Sequence, residues 1–209
     1  MNCSSLPQNY EAIRTIDMQK DKRLAIAISM FSLVLWAVMM LLGFFLHPKE
    51  TVTLTFTGAS LLLRLAIVLA GSVLYICLHE LIHGVFIKHY SGEKPQYGFK
   101  GFYAYAGSDK AYFDRKSYIV IALAPVILLG LLLLVLNLLL PARWFWMVYW
   151  IQALNISGAA GDLYVTRLIM HMPRNVLVQD TGVSMTFYAP FQKETPSESF
   201  CDYLNTRKD

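Results

Sequence analysis

Hydrophobic and polar positions fall along this chain in long blocks rather than in short alternations. The first 23 residues are polar and mix Arg14, Lys20, Lys22 and Arg23 with Glu11, Asp17 and Asp21. Leu24 to Leu46 then runs 23 residues without a charge, enough to cross a hydrocarbon core of about 30 Å at roughly 1.5 Å per residue. Two further uncharged blocks cover Ser117 to Leu140, closed by Pro141, and Trp144 to Gly161. The remaining block, Leu65 to Leu78, is uncharged but has only 14 residues, and it reaches 23 only when continued through His79, Glu80 and His83 to Ile87. It can span a bilayer only if those polar residues lie inside the membrane segment. The pattern predicts an α-helical integral membrane protein with four transmembrane helices.

The connections carry different signals. Between the second and third spans, "YGFKGFYAYAGSDKAYFDRK" is rich in Tyr, Phe and Gly. Aromatic runs on either side of a turn at Gly107 to Lys110 predict a small β-hairpin. After Pro173, "NVLVQDTGVSMTFY" predicts two short strands around a turn at Asp180 to Gly182. The expected organisation is a polar N-terminal arm (1–23), a four-helix membrane domain (24–172) and a short tail (173–209).

Composition agrees with a membrane setting: 56% of the residues are hydrophobic and 15% charged, too little polar surface for a soluble domain of this length. The net charge of +4 is too mild to imply nucleic acid, but its placement is informative. Of the Lys and Arg residues, fifteen fall in the N-terminal arm, the 88–116 connection and the stretch from Arg167 to the end, against three (Lys49, Arg64 and Arg143) on the other side. That asymmetry places both termini in the cytoplasm. Trp144, Trp146 and Trp150 would lie near the outer interface. No cleavable signal is expected, because the first apolar run is too long for one. Cys3, Cys77 and Cys201 are widely spaced and suggest neither a disulfide framework nor a zinc ribbon, with Cys77 expected as a small core residue.

Within the second span stands "HELIH", residues 79 to 83. Helix positions i and i+4 share a face, so His79 and His83 can present two imidazoles to one metal ion with Glu80 about 100° to the side. Two nitrogen ligands plus a carboxylate base is the arrangement of zinc hydrolases. Intramembrane His and Glu are costly, which favours a functional reading over chance. A third ligand is needed if one position is left for water. His89 would lie about 15 Å along a straight helix from His79, since Phe86 stands where a glycine would bend the chain, and His171 lies beyond the fourth span. Asp162 reaches a depth comparable to His79 on a helix running the same way and is the preferred third ligand. The small residues before it, in "NISGAAGD" (155–162), allow close helix approach or local unwinding.

HELIH in one apolar helix, "ALAP" (122–125) in the next and "NISGAAGD" in the last resemble a zincin-peptidase membrane family of unknown function, distantly similar to the site-2 intramembrane metalloproteases. The resemblance implies His79, His83 and Asp162 as zinc ligands, Glu80 as general base and Asn155 as a residue that helps position substrate. Leu163 follows Asp162 where the site-2 pattern has glycine. The resulting expectation is a membrane-embedded zinc metallopeptidase of a bacterial cytoplasmic membrane, acting on transmembrane or membrane-proximal protein substrates. A metal-binding transporter or scaffold and a zinc hydrolase of a non-peptide amphiphile are the alternatives. A transporter would usually line its route with further intramembrane acids or histidines, which the first and third spans lack.

Overall fold

The computed structural model describes residues 2–17, 19–47, 58–100 and 103–191. Cys201, Lys49 and the tail from 192 onward lie outside the described residues. The described residues are mostly helical, with two small antiparallel sheets among them. α1 (Lys22–Leu46) starts where the Asp21 carboxylate accepts from the Leu24 amide at 3.0 Å, satisfying one of the free N–H groups of a helix start. α2 (Gly58–Ser91) carries the HELIH segment. Asp114 caps α3 (Arg115–Leu139) through the Ser117 amide at 2.9 Å. A 3-10 turn at Ala142–Trp144 then leads into α4 (Phe145–Gly158) and α5 (Ala160–Met170).

Among the described residues, three helices are long and apolar enough to cross a membrane: Lys22–Leu46, Leu61–Ser91 and Arg115–Leu139. The fourth block departs from the expected single span. It is divided at Ala159 into helices of 14 and 11 residues, because Gly158 is a poor helix former and the Ala159 amide turns back to the Ser157 carbonyl. α4 lies at the middle of the bundle, with α1, α2 and α3 packed on it, while α5 touches α1 and α3. On α1 and α2 the large side chains point outward, with Leu33, Val38, Leu41, Leu62, Leu69 and Val73 each more than half exposed. Such continuous apolar surface needs hydrocarbon, not water, around it. Cys77 is also exposed on this outer side, correcting its expected place in the core.

The larger sheet has the order β1-β6-β5-β4, from β1 (Tyr10–Asp17), β4 (Phe113–Asp114), β5 (Leu177–Asp180) and β6 (Ser184–Pro190). β5 and β6 are the two tail strands expected from the sequence, and Gly182 between them takes φ +78°, which glycine adopts without a Cβ penalty. β1 was not anticipated. Five of its eight positions are exposed and its buried side chain is Ile16, so it gives no clean alternation. Phe113, Val176, Val178, Phe187 and Ile169 join Ile87 and Ile121 in one buried cluster, which fixes the sheet to the helix ends.

The smaller sheet is the aromatic hairpin, β2 (Gln96–Lys100) with β3 (Tyr103–Gly107). Its strands run up to the pair Lys100 and Tyr103, and the expected turn, present at Asp109–Lys110, leads out of β3 and does not join the hairpin. Gly107 instead ends β3 against the tail turn, where a Cβ would collide with the backbone at Thr181 and Gly182. The next amide, Ser108, donates to the Asp180 carbonyl at 2.7 Å.

Candidate metal centre

On α2 the residues Tyr75, His79, His83 and Ile87 recur every four positions and form one stripe. Tyr75, His79 and Ile87 are buried on it, whereas Leu81 and Val85 on the outer face are at least half exposed. Helical periodicity therefore turns the imidazoles into the bundle and the leucines outward. Asp162 comes from the other side. The break at Ala159 starts α5 anew, and Asp162 falls in its first turn, where the positive end of a helix favours a carboxylate.

The three side chains converge. His79 Nε2 lies 3.2 Å from His83 Nε2, and Asp162 Oδ2 lies 3.3 Å from His79 Nε2 and 3.7 Å from His83 Nε2. Donors about 2.0–2.1 Å from a tetrahedral ion stand roughly 3.3 Å apart. The three observed separations therefore match three edges of a zinc tetrahedron, with the fourth corner left for another ligand. Among the described residues this is the group of His, Asp, Glu or Cys side chains close enough to hold a metal ion.

The far side of each ring is also held. His83 Nδ1 lies 2.9 Å from the Ile121 carbonyl. A carbonyl only accepts, so Nδ1 carries the proton and Nε2 keeps its lone pair for the metal side. His79 Nδ1 lies 3.2 Å from the Tyr75 hydroxyl. Gly158 packs beside that hydroxyl, and a Cβ there would come to a close 3.3 Å from it. Glu80, adjacent in sequence and a third of a turn away, is half-buried and lines the same cavity.

The cavity holds about 460 Å³. Besides the metal donors and Glu80, it is walled by Ser29 and Ser32 of α1, by Ala104 to Ala106 of β3 and by Gly182 to Met185 of the tail turn. Asp180 and Tyr118 close one side. The Tyr118 hydroxyl donates to Asp180 Oδ2, and the Gly182 amide donates to Asp180 Oδ1 at 2.7 Å. Burial pushes the Asp180 carboxyl above the usual carboxylate range, against the pull of those two donors.

Other candidates lie elsewhere. His89 is in the last turn of α2 with its ring beside Tyr90, and His171 Nδ1 faces the Arg167 carbonyl at 2.8 Å. Asn155 is fully buried between α4 and α3, where its Nδ2 donates to the Val126 carbonyl at 3.0 Å. It does not line the cavity. Tyr75, Tyr118 and Asp180 were not singled out from the sequence. Tyr75 stands four residues before His79, a spacing that could have flagged it, whereas Asp180 gave only a turn signal.

A two-histidine, one-carboxylate group set among apolar helices is a candidate metal site of the zincin kind in a membrane protein. Comparison of sequences agrees. The family described as "Putative zincin peptidase" matches residues 72–177, half of the chain, and the protein belongs to that family. No curated protein and no solved structure matches it.

Proposed function

We propose that this protein is a membrane-embedded zinc metallopeptidase that hydrolyses peptide bonds within or near the bilayer. The observation that carries the reading is the convergence of His79, His83 and Asp162 at tetrahedral edge distances on a cavity that Glu80 also lines. Zinc, when bound there, supplies Lewis acidity that brings water deprotonation close to neutral pH and polarises a carbonyl. Glu80 takes the proton from the attacking water and returns it to the leaving amine. Asp162 and the two histidines hold the ion through ring and carboxylate orientations that the helices set. Asn155, assigned to substrate positioning by resemblance, acts in this reading through the contact between α4 and α3.

The substrate would be a transmembrane or membrane-proximal polypeptide. A helix hides its carbonyls, so the scissile segment must be extended. β3 supports such binding: it lines the cavity and, among the described residues, has a strand partner on one side alone, leaving an edge able to pair with one extended strand. The termini and the sheets would face the cytoplasm, as the basic asymmetry predicts. α4 and α5 together would complete a fourth crossing. The test is cleavage of transmembrane peptides by purified protein in detergent or liposomes, with zinc content measured in parallel. Cleavage that persists in Glu80→Gln protein, or a wild-type protein that takes up no zinc, would overturn this reading.

A further inference from the structure

α3 is continuous from Arg115 to Leu139 although Pro125 lies inside it. A proline has no N–H to give the carbonyl four residues back, and its ring crowds that carbonyl out of line. Here that carbonyl is Ile121. Ile121 is 2% exposed and Pro125 is fully buried, so without another donor the chain would carry a buried, unpaired acceptor, which native structures avoid. The donor is His83, whose Nδ1 lies 2.9 Å from the Ile121 oxygen. Two separate deficits cancel: a helix carbonyl deprived of its own N–H, and a histidine on the neighbouring helix that needs an acceptor on one nitrogen to present the other.

We infer that Pro125 is a positioning residue of the metal centre: by withholding the helix donor from the Ile121 carbonyl, it reserves that carbonyl for His83 Nδ1 and so aims Nε2 at His79 and Asp162. The inference rests on the metal-site reading above. An amide at position 125 would compete for the Ile121 oxygen and draw it back toward the helix axis. The His83 ring would then lose the bond that selects its tautomer and fixes its rotation. Outer-shell partners of this kind alter metal affinity by roughly 10- to 100-fold.

The experiment compares three full-length proteins in detergent micelles: wild type, Pro125→Ala, and a chain carrying lactic acid at 125, introduced by nonsense suppression. Lactic acid is the hydroxy counterpart of alanine, so it lacks both the ring and the N–H. Zinc affinity is read by competition with a chromophoric chelator, and ligand geometry by the visible spectrum of the cobalt-substituted protein. Pro125→Ala should bind zinc about tenfold more weakly or worse and shift the cobalt bands, whereas the lactic acid protein should stay within about threefold of wild type. Wild-type affinity in Pro125→Ala overturns the inference, and so does an equal loss in both variants, which would assign the effect to the ring. Should Pro125→Ala fail to fold, the lactic acid protein decides alone: near-wild-type affinity supports the role of the missing N–H, and a tenfold loss removes it. A wild type that binds no zinc would sink the proposed function as well, an outcome distinct from a zinc-binding wild type matched by Pro125→Ala.

Discussion

Removing the Asp162 carboxylate tests the metal centre most directly. The side chain stands 3.3 Å and 3.7 Å from the two imidazole nitrogens and is the one anionic member of the group, so Asp162→Ala leaves two neutral donors on α2 and an open side facing α5. Four-ligand structural zinc sites bind with about 10–16 kcal/mol, or roughly 2.5–4 kcal/mol per ligand. At about 1.4 kcal/mol per decade, the variant should bind zinc roughly 100- to 1000-fold more weakly. Asp162→Asn should fall between the two proteins, because it keeps an oxygen at the site without the charge. Affinity would be measured by chelator competition in micelles, with His89→Ala and His171→Ala as controls that keep wild-type affinity. The helices should survive, since Asp162 lies in the first turn of α5 and lines the cavity, not the apolar packing between the helices. If Asp162→Ala binds zinc like wild type, the third ligand has been assigned wrongly, and a loss in His89→Ala or His171→Ala names the histidine that takes its place.

Three other outcomes are expected. Glu80→Gln should retain zinc, as judged by metal analysis of the purified protein, yet lose about 100-fold or more of hydrolytic rate because only basicity is removed. Tyr118→Phe should destabilise the tail hairpin by roughly 1.5–3 kcal/mol, the worth of a hydrogen bond to a charged group, seen as faster proteolysis after β5 and a lower thermal midpoint. A reporter fused after Asp209 should be cytoplasmic and one inserted after Pro141 external, by the positive-inside bias; the reverse result would invert the topology.

The site was more legible in the sequence than the fold that frames it. HELIH needs nothing beyond helical periodicity to place His79 and His83 together, and Asp162 could be matched to them by depth because both helices run in the same direction. The break at Ala159 was only partly foreseen. Its residues are as apolar as the rest of the block, so hydropathy reads one span, and only the small side chains of Gly158 to Gly161 hint at unwinding. β1 was obscured because a strand exposed at most positions carries charges such as Glu11 and Arg14 where a pattern search expects an apolar face. The hairpin turn was misplaced for a related reason. Gly-Ser-Asp-Lys has turn chemistry, but the glycine was required for contact with the tail turn, a constraint set by residues some 75 positions later in the chain.

The division of labour between these segments follows from where each lies. His79, Glu80, His83 and Asp162 all fall within the matched region, 72–177, whereas Ser29, Ser32, Asp180 and Met185, which wall the same cavity, fall outside it. The donors stand on α2 and the start of α5, but the shape of the space around them depends on pairing between β1 and β6. One stretch of α3 connects the two. Tyr118 holds the tail turn through Asp180, and three residues later the Ile121 carbonyl holds His83, so a shift of this helix moves a wall and a metal ligand together.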